Sequence, residues 1–306
     1  MTLAELGESG LVAHIERLFR PATALPVGIG DDGAVLPPSR GPIVAVADAL
    51  VEGVHFRRDL SPPEAIGRKV VAVNVSDIAA MGAIAEYGLL TASLPGATNV
   101  DWILALLRGV ADEARRHSAT IVGGDVTGST GPVSLSLSML GRLAGTSPLL
   151  RSGAQPGDSL YVTGVLGTSG LGLRRLLTDP AASGPDVDAY RAPSPRTAEG
   201  AALGAWGRCH ALMDLSDGLG VDAPRMAAAS GVTLVIDLER LPAAPGADES
   251  LALFGGEDYE LLFACEEPPP VAATVIGRVE AGVPGVRWLR GGAVVVPNRD
   301  DEFRHF

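Results

Sequence analysis

The chain has 306 residues, 46% of them hydrophobic and 20% charged, with a formal net charge of -12. That apolar fraction excludes a disordered chain, and the length suits two domains of roughly 150 residues each. The acidic balance argues against general binding to nucleic acid or to an anionic membrane, so neither is expected as a partner.

The N-terminal MTLAELGESG lacks a basic stretch and a long apolar run, so no signal peptide is expected. No window approaches 18 uninterrupted apolar residues, which argues against a membrane span. Cys209 and Cys265 form no CxxC pair and fit a reducing cytoplasm better than zinc or a disulfide framework. Lys69 is the one lysine, and no GxxxxGK[ST] occurs, so a Walker-type phosphate loop is excluded. A bound nucleotide must then be held by metals, arginine and backbone amides.

In chain order, residues 3 to 19 show helical apolar spacing with Gly7 and Gly10 as weak points. Gly28-Ile-Gly-Asp-Asp-Gly-Ala34 follows, a tight loop with two adjacent carboxylates, Asp31 and Asp32. Ile43 to Asp48 reads as a buried strand ending in a carboxylate, and Val51 to Phe56 as its exit. Ser61-Pro62-Pro63-Glu64 opens a helix expected to stop at Gly82. That helix is apolar nearly all round, hence central, with Asn74 and Asp77 as polar exceptions on one face. A strand is expected over 85–94, a helix over 100–117, and a strand over 120–125 ending in Gly-Gly-Asp. Residues 133–143 alternate Ser with apolar residues, the pattern of a strand with one polar face.

A boundary is expected near Gly145-Thr-Ser-Pro148, giving domains 1–146 and 147–306. The second half opens with a turn from Arg151 to Asp158 and a strand over 159–163. Gly164 to Gly172 leads into a helix, whose amides are suited to an anion. Residues 179–195 read as loop, 196–206 as helix, 211–215 as strand, and 216–230 as helix stopped by Gly231. Strands are expected over 232–238, 260–265, 276–280 and 286–289. Both halves alternate strand and helix, so the class is α/β (α+β).

Asp32, Asp48, Asp77, Asp125 and Asp214 form the candidate metal set, with Asp31 and Asp217 as neighbours. Each alone reads equally as a cap or turn. Together they point to divalent cations, because carboxylates at the ends of apolar runs are costly to bury unless paired or metal-bound. Arg151 reads either as a bidentate donor to a phosphate or as an ordinary surface arginine. His55 reads either as a site residue or as a structural histidine, and His14, His117 and His210 read as structural.

GIGDDGAV, ADALVEGVHF, AVNVSDIAAMGA, IVGGDVTGS, RSGAQPGDSLYVTG, LMDLSDGL and GGEDYELLF occur in this order. Together they resemble the thiamine-monophosphate kinase family of the aminoimidazole ribonucleotide synthetase-like superfamily, over essentially the whole chain. The resemblance implies a two-domain α/β fold whose N-terminal sheets pair in a homodimer. It implies transfer of a phosphoryl group from ATP to thiamine monophosphate, assisted by several Mg2+ ions and without a phosphoenzyme. Metal positions then fall on Asp32, Asp48, Asp77, Asp125, Asp214 and Asp217. Nucleotide contacts fall on Gly124, Asp125, Arg151 and Ser216, and substrate contacts on His55, Glu257 and Phe303. One departure stands out: the family pattern before the second aspartate is rich in hydroxyls, whereas this chain reads Val46-Ala47-Asp48-Ala49. Two rival readings follow. One is another ATP-using member, although the cysteine expected near the N-terminus of a selenophosphate synthetase or in the C-terminal tail of a hydrogenase-maturation protein is absent. The other is a non-catalytic nucleotide-binding homologue.

Overall fold

The computed structural model describes residues 1–19, 25–29, 32–39 and 41–298. By compactness the chain divides into a first unit, Met1–Ile78 with Ala85–Arg142, and a second unit, Ala79–Ile84 with Leu143–Phe306. The Ala79–Ile84 segment is stitched into the second unit by Ala144 N to Gly82 O (3.0 Å) and Leu149 N to Met81 O (3.1 Å).

In the first unit, α1 (Leu3–Leu18) begins with a capping box between Thr2 and Glu5 and is interrupted at Gly7, whose φ is 74°. The first sheet holds β1 (Ile43–Val51), β2 (Ala83–Pro95), β3 (Thr120–Ser129) and β4 (Ser134–Leu143) in the order β1-β4-β2-β3. β1 and β4 are antiparallel, and β2 and β3 are parallel. The Ser/apolar alternation of β4 takes the expected form: Leu135, Leu137 and Met139 are fully buried while the serines lie on the other face. Two expectations change. β1 is an edge strand with Val44 and Leu50 as its buried residues, rather than a buried strand. Asp48 and Asp125 also lie inside β1 and β3 rather than at their ends. An edge strand tolerates a carboxylate because one of its flanks is not closed by another strand.

α2 (Pro63–Ala80) is central, as its composition predicts, with Val70, Val71, Ala72, Val75, Ile78 and Ala79 essentially inaccessible. α3 (Val100–Arg116) is capped by Asn99, whose side chain accepts from the Asp101 and Trp102 amides.

The second unit is built on a seven-stranded mixed sheet. Its strands are β5 (Ser159–Val162), β6 (Ala211–Leu215), β7 (Thr233–Asp237), β8 (Glu260–Cys265), β9 (Thr274–Glu280), β10 (Gly285–Arg290) and β11 (Ala293–Val295), ordered β11-β10-β7-β9-β5-β8-β6. Its helices are α4 (Thr168–Thr178), α5 (Pro185–Arg191), α6 (Thr197–Trp206), α7 (Leu219–Ser230) and α8 (Glu249–Phe254). Residues alternate between two cores. Leu160, Val162, Met213, Leu215 and Leu262 pack with Ala223, Met226 and Phe254 of α7 and α8. Tyr161, Leu212, Leu261 and Phe263 pack with Leu203 of α6, and the Tyr161 and Phe263 rings stack at 5.2 Å. This is the period-two pattern of a sheet covered on both faces.

α5 lies within residues expected to be loop. Pro185 at its start and buried Val187 and Tyr190, three apart, make one short amphipathic element there. α8 and β11 were likewise too short to show a period. Among the described residues no helix is long and apolar enough to cross a membrane.

Candidate active site

In the first unit, Val35 N donates to Val27 O at 3.0 Å, closing the base of the loop that carries Asp32, which is exposed. Gly30 and Asp31 lie outside the described residues, as does Phe303. Asp48 is half-buried on β1, and its backbone N–H donates to Asn74 Oδ1 at 3.0 Å. Asn74 is fully buried on α2 and returns its own amide N–H to Val70 O at 2.8 Å. The polar exception in the apolar helix is therefore a tie between α2 and the Asp48 backbone. Asp77, three residues further along α2, falls on the same helix face.

Asp125 is exposed on β3, opposite Thr91 of β2. Its neighbour Gly124 has φ 148°, and a Cβ there would lie 1.7 Å from Leu90 O, so a side chain is sterically excluded. Asp48 and Asp125 stand on the two outermost strands of their sheet, separated by β4 and β2. Three strand spacings amount to about 14 Å across the sheet. His55 Nδ1 accepts from Val51 N at 3.1 Å, so the neutral ring carries its proton on Nε2. Lys69 is buried, and its Nζ donates to His55 O at 3.1 Å, fixing the same turn.

In the second unit, Asp214 is buried in β6, and Ser216 and Asp217 follow before α7 begins. Asp217 Oδ2 meets Arg225 Nη2 at 2.6 Å, and the same guanidinium reaches Asp222 Oδ1 at 2.6 Å. The other Asp222 oxygen accepts from Asp217 N at 3.0 Å. Burial, then the neighbouring Asp217 and Asp214 charges, push the Asp222 carboxyl up to about 7 against the pull of Arg225. Arg151 is exposed on a loop whose backbone is pinned: Ser230 Oγ donates to Arg151 O at 3.1 Å and accepts from Ala154 N at 3.2 Å.

Glu257 is brought to the same end of β6. Its N–H donates to Ser216 O at 2.7 Å, and Tyr259 N donates to Leu215 O at 2.9 Å. Gly256, Glu257 and Tyr259 all have positive φ, at 64°, 56° and 51°. A residue with a Cβ held there costs of order 1–2 kcal/mol, so the turn is strained twice over. Between them, Asp258 accepts from Gly167 N (2.6 Å) and Ser169 N (3.0 Å) at the start of α4. Two amides of the glycine-rich stretch 164–172, read as suited to an anion, are thus taken by this chain's own carboxylate.

The second unit therefore gathers Asp214, Ser216, Asp217 and Glu257 around the end of β6, while the first ties the Asp48 backbone to Asn74, on the α2 face that also carries Asp77, and places Asp125 on the far edge. Among the described residues no three His, Cys, Asp or Glu side chains form a ready-made metal cage. Asn74, Lys69, Arg225 and Asp222 support these residues, and the sequence flags Asn74 alone, as a polar residue in an apolar helix.

The AIR synthase related N-terminal and C-terminal domain models match residues 30–143 and 155–288. The Mycobacterium tuberculosis (strain ATCC 25618 / H37Rv) thiamine-monophosphate kinase is 38% identical over 304 residues, covering 94% of this chain and 90% of its own. The solved structure of AaThiL complexed with AMPPCP and TMP is 33% identical, covers 100% of this chain and 99% of its own, and matches with a TM-score of 0.78. The hydrogenase maturation protein HypE in complex with ATP also reaches a TM-score of 0.78, with 100% and 99% coverage, but at 18% identity it shares the fold alone. On the domain matches and the near-full-length identity, this chain belongs to the thiamine-monophosphate kinase family.

Proposed function

We propose that this chain transfers the terminal phosphoryl group of ATP to thiamine monophosphate, forming thiamine diphosphate and ADP. The observation that carries this reading is the near-full-length likeness, at 33% identity, to AaThiL complexed with AMPPCP and TMP. HypE matches as well in shape but far less in sequence, so the other ATP-using reading has the fold alone in its favour.

Asp32, Asp48, Asp77, Asp125, Asp214 and Asp217 serve as metal positions. Their distribution suits Mg2+, which is commonly held by one or two carboxylates with waters and substrate phosphates rather than by an all-protein cage. Bound Mg2+ supplies neutralisation of the charge that keeps two phosphate groups apart. The side chains do the rest. Arg151, on its pinned loop, and Ser216 meet the nucleotide together with Gly124 and Asp125. The Leu90 carbonyl excludes a side chain at Gly124, so only backbone is offered to the nucleotide there. His55 and Glu257 meet the acceptor, with Phe303 as the aromatic contact. The acceptor phosphate oxygen is already ionised near neutral pH, so no side chain needs to act as general base.

The 1–146 segment serves as the metal-binding, nucleotide-binding and dimerisation domain and 147–306 as its partner. N-terminal sheets pair between two copies: the exposed Ile43, Ala45, Ala47 and Ala49 of β1, with Leu140, Ser138 and Ser136 of β4 opposite the alanines, offer a mostly uncharged open face. Two buried free thiols are in keeping with a reducing cytoplasm. Light scattering at micromolar concentration is expected to give twice 31.3 kDa, and a 31.3 kDa species alone would remove the dimer. The activity is tested by ADP release with and without thiamine monophosphate. Release that needs the acceptor supports the kinase; release without it supports another ATPase; none supports a non-catalytic homologue.

A further inference from the structure

The turn Gly256–Tyr259 is held in a left-handed path by ties of two kinds. The Glu257 and Tyr259 amides bind the end of β6 through Ser216 O and Leu215 O. The third tie is a side chain: Asp258 Oδ2 and Oδ1 accept from Gly167 N and Ser169 N. Helices usually draw their first cap from a local Ser, Thr, Asn or Asp. Here the cap position is Gly167, at φ 81° and with no side chain of its own to cap with, while the Ser169 hydroxyl is buried with no hydrogen-bond partner among the described residues. The helix start is thus served by a residue 89 to 91 positions later, at the tip of a strained turn. A helix cap alone does not require this route. A device that clamps the turn does, because a sparsely populated conformation persists only when its surroundings over-determine it.

We propose that Asp258 is a positioning residue: by docking on the N-terminus of α4 it holds Glu257, the acceptor contact, in its left-handed conformation against the Ser216 carbonyl. This rests on the reading of Glu257 as an acceptor contact, and the two separate in the test below.

Gly and Ala at position 257 both delete the carboxylate, but Gly alone accepts a left-handed φ without strain, so their difference in melting temperature measures how firmly the turn is held. Glu257→Gly is expected to melt higher than Glu257→Ala in the wild-type background. In an Asp258→Asn background that difference is expected to shrink by more than half, because the released turn relaxes in both variants. Asp258→Asn alone is expected to weaken calorimetric binding of thiamine monophosphate about tenfold, the scale of one lost charge-assisted hydrogen bond, and to leave AMPPCP within about twofold. If Asp258→Asn does not fold, Asp258→Glu takes its place in the cycle: it keeps the charge but is too long for the same grip, so the same shrinkage is expected. An undiminished Gly–Ala difference in a folded Asp258 variant overturns the proposal. If Glu257→Gln leaves thiamine monophosphate binding unchanged, the reading of Glu257 fails instead, and the melting cycle still decides what Asp258 does.

Discussion

In the first unit, Asp48 and Asp125 stand on opposite edge strands, one half-buried and the other exposed, and what fixes them is backbone: an Asn74 tie at Asp48 and bare Gly124 beside Asp125. In the second, Asp214 and Asp222 are buried, Asp217 is paired with Arg225, and Glu257 is held in a strained turn. The first set is the more hydrated, with Asp125 exposed and Asp48 half-buried. The second has already lost water, and the cost is offset by a guanidinium and by amide donors inside the fold. Substitutions should accordingly separate the units: activity falls with little stability loss in the first, whereas stability and pH response change in the second.

The largest effect is expected at Asp77. Asp77→Asn keeps shape and removes a charge from the α2 face that also carries Asn74. Turnover should fall by about two to three orders of magnitude, the scale for losing a preorganised electrostatic contact at the reacting centre. Circular dichroism should be unchanged. Near-normal turnover in the folded variant would take Asp77 out of the site and break the contrast between the units.

Next is the pH response of Asp258. Burial pushes its carboxyl up to about 6, partly offset by the Gly167 and Ser169 amides, and the Glu260 carboxylate, paired with Arg196, pushes in the same upward direction. A raised carboxyl contributes stability that is fully present below about pH 4 and is lost as pH rises through about 6. Between pH 4 and 7 wild-type stability should therefore fall relative to Asp258→Asn by on the order of 3 kcal/mol. Denaturant unfolding across that range checks it, and parallel curves would contradict it.

Arg225→Met comes third. It leaves Asp222 buried without its cation and should destabilise by about 1–3 kcal/mol, the lower end reflecting the partial exposure of the guanidinium. Adding Asp222→Asn should recover most of that loss in thermal melts. An equally unstable double variant would mean that Arg225 acts by packing alone.

These same residues mark where the sequence is legible. α2 is plain from its all-round apolar composition, and β4 from its Ser/Leu alternation. β1 is not, because an apolar run in an edge strand looks the same as one in a buried strand until its neighbours are known. Asn74 is visible as an exception, but its partner, the Asp48 amide, lies 26 residues earlier. The GGEDYE motif is visible too. That its Asp258 caps α4 depends on a chain separation of some 90 residues, and that Glu257 is left-handed depends on what surrounds it. α5 and α8, at 7 and 6 residues, are shorter than two helical turns and leave no period to detect.

The smallest effect concerns the missing hydroxyls. Successive strand residues face opposite ways, so Val46 shares a face with Asp48 and Ala47 does not. Val46→Ser should lower the half-saturating Mg2+ concentration about fivefold, the equivalent of roughly 1 kcal/mol for one neutral ligand. Ala47→Thr should leave it unchanged. The reverse order would mean that the ion lies on the other face of the sheet.

The most direct measurement is 31P NMR of the wild-type protein with ATP, thiamine monophosphate and Mg2+. Thiamine diphosphate and ADP should grow in equal amounts and stop when EDTA is added. ADP accompanied by inorganic phosphate, with thiamine monophosphate untouched, would contradict the account.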